Sequence, residues 1–280
     1  MADRKTRFNK TTGLLVGAGV CLLVAAVCAV SWLTVMGGFS ELEQRFVQKN
    51  ILRAQEVLED TNSNLVVKLA DWARWDDTYA FVENRNKAYI RSNLVNSSLE
   101  LLKINMMGFF NAGGELVCFL DNSRGNTAKA VMPEVLKQYF AKGSALLDHK
   151  GQDSSLAGLL MTPEGPLAVA ARPILKSDFT GPVRGTVIFA RWLDAAELKR
   201  LGGIMKVEIA VRGTQSGSLP PDFKAAQALF SGGAKTAIRK LDGGTIAGYS
   251  GLKDVFGKEV MILKVETPRE ITQFGHRTLL

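Results

Sequence analysis

The 280-residue sequence predicts an α+β fold hung from an N-terminal membrane helix. Three observations carry that expectation. Residues 13–37 form a run of 25 without a charge. Val47, Ile51, Ala54, Leu58, Thr61, Leu65, Leu69 and Trp72 then fall at steps of three and four, one stripe of a long helix. After residue 100, short β-rich runs alternate irregularly with short helical ones, which fits an antiparallel sheet with flanking short helices and not a doubly wound parallel sheet.

Residues 1–12 read as a cytoplasmic tail. Arg4, Lys5, Arg7 and Lys10 oppose only Asp3, and the positive-inside rule keeps such a tail in the cytoplasm. Residues 13–37 are long enough to span a hydrocarbon core that needs about 20 helical residues. A cleaved signal peptide would carry an apolar region of only about 7–15 residues and a small-residue cleavage site, and neither feature is present. Trp32 sits near the outer end, where belt aromatics gather. The expected placement is a single span in the cytoplasmic (inner) membrane, with the rest in the periplasm or extracellular space.

Residues 38–83 read as one long helix, since no Pro or Gly interrupts 39–82. From Phe39 to Trp72 it is a rod of roughly 50 Å. A narrow stripe of this length suits its own domain, a second copy, or both. A parallel homodimer through positions 43–58 is therefore expected.

Residues 84–280 hold the β-rich body. Strands are expected at 104–111 and 115–120, joined by a turn at Ala112, Gly113 and Gly114. A short helix at 133–142 follows, then an irregular stretch over 143–165. Strands resume at 167–175 and 183–192. A helix over 194–201 takes Asp194 as N-cap and Gly202 as stop. A strand at 207–212, a helix at 221–229 and three strands at 234–241, 245–252 and 259–266 complete the body. A sheet with a long helix on one side is the arrangement of PAS/Cache-like folds.

Composition excludes several classes. Hydrophobic residues make up 46% and charged residues 22%, ordinary for a folded protein. The net charge of +8 owes part of its excess to the basic tail, and no basic run remains beyond it, so nucleic acid is not an expected partner. Cys21 and Cys28 lie in the span, leaving Cys118 alone outside it, so no disulfide can staple the body. With two His far apart and no Cys-x-x-Cys, neither a metal nor another cofactor is expected. His-Glu-x-x-His and Gly-x-Ser-x-Gly signatures are missing, which argues against an enzyme in these residues.

The densest chemistry lies in 71–82. Trp72, Trp75 and Tyr79 share one face if the helix continues, with Asp76 beside that face and Asp77 turned about 100° from Asp76. They read as a pocket wall, stacking a ligand while a carboxylate holds a cation or hydroxyl. The alternative is that they are simply core. Arg172 is a further candidate, for a carboxylate or phosphate ligand, and Arg191 lies on the next strand segment. His149 and His276 read as surface residues.

The segment Asp71-Trp72-Ala73-x-Trp75-Asp76-Asp77-x-Tyr79-x-Phe81, followed by Tyr89 and Asn93-Leu94, resembles the fourth type of CHASE domain. Arg172-Pro173-Ile174, Gly181-Pro182-x-Arg184-Gly185 and Val265-Glu266-x-Pro268-Arg269-Glu270-Ile271 look like the same family, so the likeness runs from about residue 40 to 280. It implies an extracytoplasmic sensory domain that takes a small-molecule ligand and feeds an output module such as a diguanylate cyclase, a cyclic-di-GMP phosphodiesterase or a histidine kinase. No GGDEF or Walker signature occurs here, so the sequence reads as the input part of a receptor, cut before a second span, with 38–83 as its signalling helix. Alternatives are a stand-alone anchored envelope interaction protein and an anchored periplasmic hydrolase using Asp71, Asp76 or Asp77.

Overall fold

The computed structural model describes residues 2–123, 131–215, 217, 219–242 and 244–278, with side chains described between 15 and 275. One helix, α1, runs unbroken from Ala2 to Ala73. Among the described residues it is the one helix long and apolar enough to cross a membrane. Leu15, Leu22, Leu23 and Leu33 in its apolar part are exposed, as side chains meeting lipid tails would be. The charged side chains of the tail lie outside the described side chains.

From Glu43 onward the predicted stripe is buried. Val47, Ile51, Ala54 and Leu69 are wholly inaccessible, and Leu58, Thr61 and Leu65 nearly so. This face is used within the chain, so a homodimer through 43–58 would have to use the other side of α1. Val47 and Ile51 lie on Gly248, where a Cβ would come within 2.6 Å of both side chains. Only glycine lets the helix come this close to a strand. One turn further, Gln55 Nε2 donates to Ser250 Oγ at 3.0 Å. The exposed apolar side chains Leu42, Phe46 and Leu52 are left on the other face.

The long helix also ends earlier than its pattern suggests. After Ala73 the chain turns at Arg74 and Trp75, and α2 (Asp76–Asn84) starts anew. Leu175 N donates to Ala73 O at 2.8 Å, and Ser177 N donates to Asp76 Oδ1 at 3.0 Å. A strand end thus takes the last carbonyl of α1 and steadies the first turn of α2, which replaces the hydrogen bonds a continuous helix would make. The short helices α3 (Lys87–Asn93) and α4 (Asn96–Leu102) follow.

The strands form two antiparallel sheets where a single central sheet was expected. The first contains β1 (Met106–Asn111), β2 (Leu116–Asp121), β3 (Leu156–Thr162), β4 (Gly165–Pro173) and β5 (Gly185–Trp192), ordered β2-β1-β5-β4-β3. The second contains β6 (Glu208–Gly213), β7 (Thr236–Lys240), β8 (Thr245–Lys253) and β9 (Glu259–Pro268), ordered β6-β9-β8-β7. α1 crosses one face of both, meeting the second sheet nearer the span and the first further out.

Period-two alternation explains the layers. Met107, Phe109, Ala168, Ala170, Val187 and Phe189 of the first sheet join the α1 core. Met106, Phe110, Val169, Ala171, Ile188 and Ala190 face the other way, onto Leu136 and Phe140 around α5 (Glu134–Lys137). In the second sheet Ala237, Ala247, Tyr249 and Ile262 pack on Phe223 and Ala226 of α7 (Pro221–Ser231).

Local chemistry sets the connections. Asn111 Oδ1 accepts from Gly113 N and Glu115 N, closing the β1–β2 turn. Asp194 caps α6 (Ala195–Met205) by accepting from Glu197 N. Gly202 does not stop this helix. It lies inside it, where Val207 N donates to its carbonyl at 3.0 Å and a Cβ would lie 2.4 Å from Val207 O, and the helix ends on Lys206 in the left-handed region. β3 lies in the stretch expected to be irregular.

The chain then turns back. α8 (Glu270–Thr278) runs antiparallel along the base of α1. Arg269 Nε donates to Glu43 Oε2 at 3.0 Å, and Gly275 is pressed against the ring of Phe39. The side chain of His276, read from sequence as a surface residue, lies outside the described residues.

Candidate functional site

The aromatic residues of 71–82 meet where α1 ends on the first sheet. Trp72 stands edge-on to Trp75 at 5.9 Å and touches Phe109 and Phe189 at 6.5 and 6.3 Å between centroids. Tyr89 stacks on Phe81 at 4.5 Å and meets Trp75 at 5.7 Å. Such pairs add about 0.5–1.5 kcal/mol each beyond burial. Thr78 Oγ1 and Tyr89 OH share a hydrogen bond of 2.6 Å. Burial raises the Tyr89 phenol; the Thr78 bond opposes this, and the charge of Asp77 adds to it.

Phe81 and Tyr89 are buried, but Trp72 and Trp75 are only half-buried. Their outer surfaces form one wall of an open cleft of about 400 Å³, completed by Asp71, Ser92, Asn93 and Ser98. Ser98 Oγ donates to Asn93 O at 2.7 Å, which ties the α3–α4 junction that forms the far wall. The cluster is therefore core on one side and cleft on the other.

Of the residues singled out in the sequence, Asp71, Trp72 and Trp75 line this cleft together. The others lie elsewhere. Asp76 is bound to Ser177 N. Asp77 is exposed in the first turn of α2, where its charge favours the helix dipole. Tyr79 is 7% exposed, and its hydroxyl accepts from Arg184 Nε at 2.9 Å and donates to Pro182 O at 3.3 Å. Arg184 also pairs with Glu83. The turn at Arg74 and Trp75 separates Tyr79 from the two indoles, so the shared helical face does not form.

Arg172 lies on β4 beside Arg74 and Asp153. Burial lowers its pKa, Arg74 lowers it further, and Asp153 opposes both. Arg191 is committed to Glu197, which is 7% exposed and also grips Arg200 through both carboxylate oxygens. Ser92, Asn93 and Ser98 were missed as site residues. Small polar residues on short helices give no signal until folding brings them opposite the indoles.

His149, read from sequence as a surface residue, is half-buried. Its ring bridges Ser154 Oγ at 3.0 Å and Thr186 Oγ1 at 3.1 Å. Burial pushes it down to about 4 from 6.5; Asp148 opposes this and Arg172 assists it. The fold therefore binds neutral His149, and its contribution is complete above pH 6.5 and is lost as pH falls toward about 4. On the order of 2 kcal/mol is expected to disappear over that window, allowing for partial exposure. Thermal unfolding at pH 7 and at pH 4.5 should show a larger drop in the wild type than in His149→Gln. Equal drops would assign the acid sensitivity to other groups.

Three other hollows are larger than the cleft, among them one of about 680 Å³ beside Tyr139, Met161 and Phe256. One of about 790 Å³ lies against α6, β6 and the end of β9 and has no α1 residue in its lining. Another, of about 760 Å³, opens on the middle of α1 between the sheets. No group of three or more His, Cys, Asp or Glu among the described residues is placed to hold a metal ion.

Comparison with known proteins matches residues 57–212 to the CHASE4 domain, more than half of the chain. The methanogenesis regulatory histidine kinase FilI of Methanothrix harundinacea is 28% identical over 262 residues, which cover 93% of this chain and 29% of FilI. Among solved structures, the extracellular domain of a chain described as a histidine kinase, vpHK1S-Z8, superposes with a TM-score of 0.54 at 11% identity, covering 86% of this chain and 98% of that one. The likeness shows a shared fold. The periplasmic domain of Vibrio cholerae LuxQ gives a TM-score of 0.49 at 12% identity over 78% of this chain and 98% of its own. By its aromatic-acidic segment, its α+β body and the match over 57–212, the chain belongs to the CHASE4 family of sensory domains.

Proposed function

We propose that this chain is the extracytoplasmic ligand-sensing input region of a membrane signal-transduction receptor. Its output would be a separate module, of which the histidine kinase in FilI is one example. The observation that carries this reading is the continuity of α1. A single helix joins the apolar span to Trp72, one wall of the cleft. A ligand held there touches the far end of the element that enters the bilayer, and shifts of about 1–2 Å between packed elements are of allosteric size.

The cleft chemistry suits a small organic cation. Indole faces attract a positive charge, and the exposed carboxylate of Asp71 supplies a counter-ion. The unpartnered face of α1 with Leu42, Phe46 and Leu52 is where a second copy would pack, replacing the stripe already buried.

Titrating tetramethylammonium, choline and primary amines into the detergent-solubilised chain, with tryptophan fluorescence as readout, tests the reading. At least one cation is expected to shift the emission, and Asp71→Asn to weaken that binding by about tenfold or more while leaving the melting temperature unchanged. A cation response that is identical in Asp71→Asn and in Trp72→Ala would remove the cleft from consideration.

A further inference from the structure

The seam between the two sheets holds a second cleft of about 760 Å³ against the middle of α1. Its walls come from three bodies: Gln55, Glu59, Asn62 and Ser63 of α1, Gly158 of β3, and Gly251 and Lys253 of β8. The tip of the β8–β9 hairpin reaches across from the second sheet to the first. There Val255 N donates to Leu159 O at 2.7 Å. Gly158 allows this approach, because its Cβ would lie 3.0 Å from Val255 Cα. The two sheets thus touch through backbone at this tip, and the cleft sits directly behind it.

The polar groups on its walls are unevenly satisfied. Gln55 is held by Ser250. Asn62 Oδ1 is buried beneath the surface and has no hydrogen-bond partner among the described residues. Glu59 lies three residues before Asn62, so the two share one side of the helix. Glu59 and Lys253 are exposed, and neither forms an ion pair among the described residues. The α1 wall therefore offers the carboxylate of Glu59, while the β8 wall offers the ammonium of Lys253; Asp254, also in the lining, has its Oδ1 taken by Phe256 N and Lys258 N. Leu58, Leu252 and Val255 supply apolar surface between them.

We propose that this seam binds a small aliphatic zwitterion of the α-amino-acid class. Its ammonium meets Glu59 on α1, its carboxylate meets Lys253, and its side chain lies on the apolar surface. The bound molecule ties α1 to the hairpin tip and fixes the angle between the sheets. This site is independent of the Trp72–Trp75 cleft.

Isothermal titration of the full chain in detergent or nanodiscs with glycine, L-alanine, L-valine and L-leucine tests the assignment. At least one is expected to bind, its carboxamide and its N-acetyl derivative to bind at least about tenfold more weakly, and Glu59→Gln and Lys253→Gln each to reduce affinity by about tenfold or more. Both substituted side chains are solvent-exposed, so the variants should fold, and Asp71→Asn should leave this binding unchanged. No heat from any of the four amino acids overturns the proposal. So does binding that survives both seam variants, and if that binding is instead lost in Asp71→Asn, the amino acid belongs to the aromatic cleft.

Discussion

Phe109→Ala is expected to lower stability by about 3–5 kcal/mol. Phe109 is fully buried and lies within 6.5 Å of Trp72, Phe81 and Tyr89, so its loss leaves a cavity at the centre of the aromatic cluster. The rings around it are held from several sides and cannot simply collapse into the gap. Chemical denaturation followed by tryptophan emission checks this, since Trp72 and Trp75 lie beside the cavity. Trp75→Ala should cost distinctly less, because part of that ring already faces the cleft. If the two substitutions cost the same, the cluster is core throughout and the cleft is incidental.

Arg269→Ala is the second large effect. Glu43 is 2% exposed and Arg269 is 12% exposed, and the variant leaves the carboxylate buried without its cation. Losing one partner of such a pair costs about 3–5 kcal/mol. Here the cost should fall on one element, because the pair anchors α8 to α1. Hydrogen exchange is expected to show α8 losing protection while the first sheet keeps its own. The double variant Glu43→Leu/Arg269→Leu should recover most of the loss, since it removes the stranded charge. Should α8 stay protected in Arg269→Ala, its docking rests on Phe39 and Gly275 instead.

Several buried polar atoms near this junction lack partners among the described residues: Glu43 Oε1, Asn50 Nδ2, Thr267 Oγ1 and Thr272 Oγ1. Thr267 pairs with Ile246 next to Gly248, which places it on the α1 side of the second sheet. The base of α1 is thus less completely satisfied than its middle. That makes it the segment where an alternative packing costs least.

What the sequence disclosed depended on how local the cause was. The α1 stripe was readable residue by residue, because Val47 to Leu69 repeat with the helix period and each one is buried. The end of α1 was not readable. Nothing in 70–76 breaks a helix; the break is made by Leu175 N and Ser177 N, about a hundred residues away in sequence. β3 was hidden for a related reason. Gly158 weakens its strand signal, yet that glycine is needed for contact with Val255. Division into two sheets left no mark either, since strands of both alternate alike.

The site shows the same divide. Trp72 and Trp75 announced themselves by type and density. Tyr79, Asp76 and Arg172 were of suitable type, but the turn after Ala73 and the pairing of β4 put them elsewhere. Glu59, Asn62 and Lys253 look like ordinary wet-face residues until the hairpin tip closes over α1.

The clasp between Glu43 and Arg269 divides the part of α1 from residue 13 to Trp72 unequally in chemistry but almost equally in length. From Glu43 to Trp72 the helix extends roughly 44 Å, and from Glu43 to the inner edge of the span roughly 45 Å. If that clasp serves as a fulcrum, α1 is a lever with matched arms, and a sideways step of an ångström at the tryptophans returns about an ångström, reversed in direction, at the cytoplasmic face. Loosening the fulcrum would then blunt transmission even where ligand affinity is untouched.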